Sequence, residues 1–238
     1  MNSIIFKTVQ NLMEKIAQEL ISYSQESEGI HIAISGGNTP KALFKLLTEE
    51  KYNSGKHQIK WNNIHFWWCD ERLVKPENSD SNYGEAKRIL FDNISIPKEN
   101  IHRIIGEAID HKAEALRYEQ EISVKVEKQN SIPCFDWIML GMGSDGHTAS
   151  LFPEANNLDS QSLALVVQNP YNSQFRISMS AKLLSNAKRI TFIVTGDDKA
   201  STVKEINSSK TSYPAGNISS KKGITEWFLD GAAGQLIK

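Results

Sequence analysis

The stretch Ile138-Met-Leu-Gly-Met-Gly-Ser-Asp-Gly-His-Thr-Ala-Ser-Leu-Phe-Pro153 decides how the rest of this chain is read. A short apolar run ends in three glycines interleaved with Asp145 and His147, and a small-residue segment then leads to Pro153. The pattern predicts a strand, a glycine turn and the start of a helix. This is how α/β proteins present polar groups beyond the carboxyl ends of parallel strands.

Outward from this stretch, buried strands and helices alternate. Val9, Leu12, Met13, Ile16, Ala17, Leu20 and Ile21 fall three and four residues apart and predict a helix from about Thr8 to Tyr23, stopped by Gly29. Ile30 to Ile34 reads as a strand that ends in Ser35-Gly-Gly-Asn-Thr-Pro40, after which Lys41 to Leu47 has helical spacing. Ile64 to Cys69 is the apolar run of a strand covered on both faces, and it ends in Asp70-Glu71-Arg72. Further helices are expected over Asn82 to Phe91, Glu107 to Lys128, Ala181 to Ala187, Gly196 to Ile206 and Thr225 to Ile237. Strands are expected over Ile101 to Ile105, Phe135 to Gly141, Leu163 to Gln168, Phe175 to Ser180 and Ile190 to Val194.

No fixed-period repeat or low-complexity linker divides residues 1–238. The expected architecture is therefore α/β: a single-domain layered sheet, mostly parallel, flanked by helices. In a parallel sheet the strand ends share one rim, so the loops Ser35 to Pro40, Asp70 to Arg72, Gly141 to His147 and Gly196 to Lys199 can converge.

At 238 residues, with 39% hydrophobic and 23% charged residues, the composition is that of a soluble globular protein. A formal charge of -1 gives no overall attraction to nucleic acid or an anionic membrane, so any anionic ligand must be held by local charges. Cys69 and Cys134 read as buried or half-buried thiols and lack the companion histidine spacing of a zinc site. The N-terminus lacks a basic segment followed by an apolar core, so a reducing cytoplasm is expected. No apolar stretch approaches the ~20 residues of a membrane span.

Each loop offers distinct chemistry. Ser35-Gly36-Gly37-Asn38-Thr39 at a helix start presents backbone N–H groups and hydroxyls, which suit either a phosphate or a plain tight turn. It is neither a Walker sequence nor a dinucleotide fingerprint. Arg72 can clamp an anion and Asp70 can accept hydrogen bonds from sugar hydroxyls, or the two can form a rim ion pair. Lys199 is either an ammonium for the ligand or a solvated side chain. His147 follows Asp145 by two residues, so a carboxylate can fix its tautomer for general-base work; the bland alternative is a helix cap. His31, His57, His65, His102 and His111 have no polar partner close in sequence and read as packing or surface residues. Ser144 and Ser150 flank His147 without a nucleophile elbow, which points to activated water rather than a covalent nucleophile.

Four segments taken in order resemble 6-phosphogluconolactonases. They are Ser-Gly-Gly-Asn-Thr-Pro at 35–40, Trp-Cys-Asp-Glu-Arg at 68–72 with Ser81-Asn82-Tyr83, Leu140 to Pro153, and Gly-Asp-Asp-Lys-Ala at 196–200. The likeness covers nearly the whole chain. It implies a fold shared with glucosamine-6-phosphate isomerase and related to ribose-5-phosphate isomerase. It further implies hydrolysis of 6-phosphoglucono-1,5-lactone to 6-phosphogluconate in the oxidative pentose phosphate pathway, without metal or organic cofactor. On this resemblance His147 takes the proton of an attacking water, with Asp145 and Arg72 in the catalytic group. Gly36, Gly37, Asn38, Thr39, Asp70, Arg72 and Lys199 hold the phosphate and ring. The expected partner is a small sugar phosphate, with no nucleic acid and no membrane, and the protein is a monomer or small homo-oligomer.

Two other readings share that fold. The isomerases carry Ile-Ala-Phe-Asn-Glu-Pro after Asp-Gly-His, where the Glu assists ring opening; here Phe152 stands in its place. Sugar-phosphate sensing domains of transcription regulators bind without turnover, but this chain shows no helix-turn-helix extension before Ile30 and no basic patch, and it keeps His147. Two positions depart from the lactonase pattern: Glu154 stands where glycine is usual, and Ala215-Gly216 replaces Ala-Ser.

Overall fold

The structure, a computed structural model, describes residues 1–26, 29–56, 58–155, 157–208 and 212–237. Runs of β-branched and aromatic residues make its main strands, as the pleated, buried surface favours. In chain order the strands are β1 (Ser3–Phe6), β2 (Ile30–Ile34), β3 (Ile64–Trp68), β4 (Asp70–Arg72), β5 (Ile101–His102) and β6 (Lys128–Gln129). They continue with β7 (Ile132–Pro133), β8 (Trp137–Leu140), β9 (Ala164–Gln168), β10 (Phe175–Met179), β11 (Arg189–Val194) and β12 (Ile224–Asp230). The helices are α1 (Val9–Glu26), α2 (Asn38–Leu47), α3 (Glu50–Asn53), α4 (Asn82–Ile89), α5 (His111–Lys125), α6 (Ala181–Leu184), α7 (Ala200–Asn207) and α8 (Pro214–Asn217).

The larger sheet has seven strands in the order β1-β12-β11-β8-β2-β3-β5, and every adjacent pair is parallel. Register places Ile34 beside both Trp68 and Met139, and Phe192 beside Leu140, so the ends of β2, β3, β8 and β11 share one rim. After β2 the sheet grows through β3 and β5, whereas β8, β11 and β12 add on its other side. The β2–β8 junction is thus the switch point at which a crevice opens beyond the strand ends.

A second sheet, in the order β4-β10-β9, is antiparallel. Cys69 ties it to the rim: its N–H donates to the Ile34 carbonyl at 2.8 Å, and its own carbonyl accepts from the Met179 N–H at 2.7 Å. Beneath both, α1 turns Leu12, Met13, Ile16, Ala17, Leu20 and Ile21 inward, and Ile32, Phe66, Trp67, Trp137, Ile138 and Phe192 of the strands are buried. Burying one such side chain is worth about 1.5–3 kcal/mol, so a one-residue register slip costs more than any rim contact can return.

Four expectations are corrected. Ile224–Asp230 is the strand β12, not part of a helix from Thr225, because the consecutive Trp227, Phe228 and Leu229 are all buried between β1 and β11. No helix starts directly after His147: Ala149 sits at a φ of 48°, and Thr148 and Leu151 close an isolated bridge, so the chain turns back. Asp70–Arg72 is a strand of the small sheet rather than a loop. The long charged helix begins later than Glu107, where the Asp110 carboxylate accepts from the N–H groups of Lys112 and Ala113 and caps α5.

Candidate active site

The turn after β2 owes its shape to two glycines. Gly37 precedes α2 at a φ of 106°, a conformation that glycine adopts without strain. At Gly36 a Cβ would fall 1.8 Å from Asn82 Oδ1, so no side chain fits. The first N–H groups of α2 have no intrahelical acceptor, which makes this end a natural anion site. Thr39 Oγ1 lies 2.9 Å from Thr195 Oγ1 and links the turn to the end of β11.

Across the junction, the turn after β8 presents the Asp145–His147 pair. The His147 Nδ1 lies 2.6 Å from Asp145 Oδ1, and Gly143 lets the ring sit close: a Cβ there would be 2.2 Å from Nδ1. Burial pushes the Asp145 carboxyl up, but hydrogen bonds from His147 and the Tyr171 hydroxyl outweigh it and hold the group below the usual carboxylate range. An ionised carboxylate only accepts, so Nδ1 is the donor of that bond, and in the neutral imidazole the lone pair sits on Nε2. The Phe152 ring, 1% exposed, packs 4.8 Å from the imidazole.

The small sheet delivers the cations. Arg72 and Arg176 are directly paired across β4 and β10. Like charges so placed repel, which favours an anion between them. Arg72 is steadied by donating to the Asp80 carbonyl at 2.6 Å, yet the buried Nε atoms of both arginines have no partner. Asp70 accepts from Ser150 Oγ at 2.7 Å and lies 3.9 Å from Arg176 Nη1. Lys199 pairs with Asp198 in the single turn that leads into α7.

Glu71, 1% exposed, braces this corner. It accepts from the backbone N–H groups of Arg72, Asn82 and Tyr83 and from Ser81 Oγ, which fixes the entry to α4 against β4. Burial pushes its carboxyl up to about 7 despite those donors.

The turn after β2, the His147 ring, Asp70, both arginines and Lys199 line one cavity of about 430 Å³. The structure brings Gly36, Gly37, Asn38, Thr39, Asp70, Arg72, His147 and Lys199 together on it, with Asp145 behind His147. Arg176 and Asn82 line it as well. Nothing in the local sequence marks Arg176 as functional, but the alternation of Phe175, Ile177 and Met179 already puts it on the other face of its strand. Among the described residues, no group of three or more His, Cys, Asp or Glu side chains is placed to hold a metal.

The sequence matches the family model for glucosamine-6-phosphate isomerases and 6-phosphogluconolactonases over residues 6–227. The chain belongs to this family. It is 50% identical over 240 residues to the 6-phosphogluconolactonase of Haemophilus influenzae, with 100% of each chain covered. It is 33% identical over 209 residues to that of Treponema pallidum, covering 87% of this chain and 85% of the relative. Within the family, a crystal structure of the devB protein superposes with a TM-score of 0.95 at 44% identity over 100% and 99% of the chains. The 6-phosphogluconolactonase of Thermotoga maritima does so at 0.82 and 27% over 96% and 97%. A monomeric glucosamine-6-phosphate deaminase, 20% identical, shares the fold with a TM-score of 0.82.

The other described histidines and both cysteines stand apart from the cavity. His31, His65 and His102 stack as a ladder beside Trp67, His111 packs near Phe175, and His57 lies outside the described residues. Cys69 and Cys134 are buried free thiols, and burial pushes both upward.

Proposed function

We propose that this protein hydrolyses 6-phosphoglucono-1,5-lactone to 6-phosphogluconate in the oxidative pentose phosphate pathway, with His147 as general base. The observation that carries the reading is the His147 imidazole, tied through Nδ1 to Asp145 and lining the same cavity as Arg72, Arg176 and Lys199. His147 Nε2 takes a proton from water as its oxygen bonds to the lactone carbonyl carbon. Preorganised N–H donors stabilise the tetrahedral oxyanion. Collapse breaks the bond to the ring oxygen, which leaves as a hydroxyl with the proton returned by the imidazolium. Gly36, Gly37, Asn38 and Thr39 at the α2 N-terminus, with Arg72, Arg176 and Lys199, hold the phosphate, and Asp70 accepts from ring hydroxyls. No metal or organic cofactor enters these steps.

Phe152, buried against the imidazole, occupies the place where an isomerase carries its ring-opening carboxylate, and this favours hydrolysis. The same reading treats residues 1–238 as one α/β domain, a cytoplasmic monomer or small homo-oligomer. Among the described residues no helix is long and apolar enough to cross a membrane. The test is substrate choice. Purified protein should speed lactone opening above its spontaneous rate and leave glucosamine 6-phosphate untouched; the reverse preference would select the isomerase reading.

A further inference from the structure

The tip of the β9–β10 hairpin reaches back over the site. Its residue Tyr171, 61% exposed, donates its hydroxyl to Asp145 Oδ2 at 2.6 Å. The opposite carboxylate oxygen, Oδ1, is the one that holds His147. The Tyr171 ring stands edge-on to Phe152 at 6.0 Å, and Phe152 in turn packs on the imidazole.

An exposed tyrosine on an ordinary loop would lose its orientation to solvent, but this tip is braced. The Tyr171 N–H donates to Asn169 Oδ1 at 2.8 Å, the Ser173 N–H to the Asn169 carbonyl at 2.9 Å, and Gln168 Nε2 to the Ser173 carbonyl at 3.1 Å. Beyond the tip, Gln174 Nε2 donates to Asp80 Oδ2 at 3.0 Å, and Asp80 is the residue whose carbonyl steadies Arg72. The hairpin therefore touches both the turn that carries the imidazole and the loop whose Asp80 carbonyl steadies the Arg72 guanidinium.

We infer that Tyr171 is a positioning residue: its hydroxyl locks the Asp145 carboxylate in the rotamer that orients His147, and by sharing the carboxylate's charge it tempers the pull of Asp145 on the imidazole. Without Tyr171, only the two His147 donors on Oδ1, the ring Nδ1 and the backbone N–H at 3.2 Å, would resist rotation about χ2, a soft two-fold torsion, and the full charge would fall on His147. With both oxygens engaged, rotation breaks two short charge-assisted hydrogen bonds at once. The Tyr171 hydroxyl is itself pushed up to about 12 by that bond, so it remains a donor throughout the working pH range. The role of Tyr171 in turnover rests on His147 being the base, while the coupling of Tyr171 to the Asp145–His147 pair does not.

The test is Tyr171→Phe, which keeps the ring against Phe152 and removes only the oxygen. Turnover should fall about 3- to 10-fold with KM within about 2-fold, and the acid limb of the kcat profile should move about 0.3–0.5 pH unit upward. In an Asp145→Asn background the same change should have no further effect, as two residues acting through one bond require. The His147 Nδ1 proton resonance should also move in Tyr171→Phe. A Tyr171→Phe enzyme with the parent's turnover and pH profile, or one whose loss is equal in the Asp145→Asn background, overturns the proposal. His147→Ala judges the base assignment separately. If that variant still hydrolyses the lactone, the base reading fails, and an unmoved Nδ1 resonance would then show that the coupling fails as well.

Discussion

Among the described residues, two imidazole–carboxylate pairs occur, and of these His147–Asp145 is the one that faces the cavity at the rim. His147 Nδ1 lies 2.6 Å from Asp145 and His102 Nδ1 lies 2.7 Å from Glu121, so by bond length the two are alike. They differ in what the second nitrogen meets. His102, with its side chain 2% exposed, has Nε2 3.0 Å from His65 Nδ1 and its ring stacked on Trp67 at 3.9 Å. The His147 side chain is 28% exposed and lines the crevice at the β2–β8 switch point. A carboxylate beside a histidine does not by itself single out a base; the proposed assignment of His147 rests on its position on the rim.

Exchanging the fates of the two pairs is the strongest way to break the comparison. His147→Ala should lower turnover by about 100-fold or more while the protein stays folded. His102→Ala should leave turnover within about 2-fold yet cost about 1–3 kcal/mol of stability, from a buried polar network left incomplete. Assays beside urea melts of both variants read the two effects, and a His102→Ala enzyme that folds normally but is inactive would erase the distinction.

The next largest effect concerns charge. Arg176→Ala should raise KM roughly 10- to 100-fold, the value of about 1.5–3 kcal/mol for hydrogen bonds to a charged group. It should also relieve the repulsion with Arg72, so stability should hold or rise. A fall in stability with KM unchanged would make Arg176 a brace rather than a ligand for the phosphate.

The histidine ladder has its own signature, and it is one of pH. Burial, then the neighbouring His65, pulls His31 from 6.5 to about 4, and His65 is lowered as well. The unfolded chain takes up these protons near 6.5 while the fold refuses them, so stability present above that pH is lost as pH falls toward 4. Thermal midpoints should drop between pH 7 and 4.5, and His31→Gln should flatten the dependence; a slope that is the same in both proteins contradicts this.

The smallest of these tests returns to the active corner. Gly36→Ala, which drives a methyl into the place of Asn82 Oδ1, should raise KM severalfold with a modest loss of stability. Parent-like kinetics would mean that Asn82 can swing away without consequence.

Much of the frame was legible because burial writes itself into local sequence. The runs at Ile30–Ile34, Ile64–Trp68 and Arg189–Val194 are apolar over a strand's length and end in polar loops, as central parallel strands must. The segment at Ile224–Asp230 misleads because Trp227 to Leu229 followed by Ala232 and Ala233 fits a helical face as well as a buried strand, and only pairing with β1 and β11 decides it. His147 and its glycines were legible for a local reason: the carboxylate that holds the ring is two residues away. Arg176 was not, since its partner Arg72 is brought opposite only by the β4–β10 register, and no short-range pattern encodes that distance. The ladder of His31, His65 and His102 was invisible for the same cause, being built by register between three strands.

The claim that a base nitrogen free on the rim drives lactone opening is most directly tested by chemical rescue of His147→Gly. With spontaneous hydrolysis subtracted, the account predicts a folded enzyme that is nearly inactive and whose rate climbs with added imidazole, in proportion to its neutral form. Parent-level hydrolysis by His147→Gly without imidazole would contradict it.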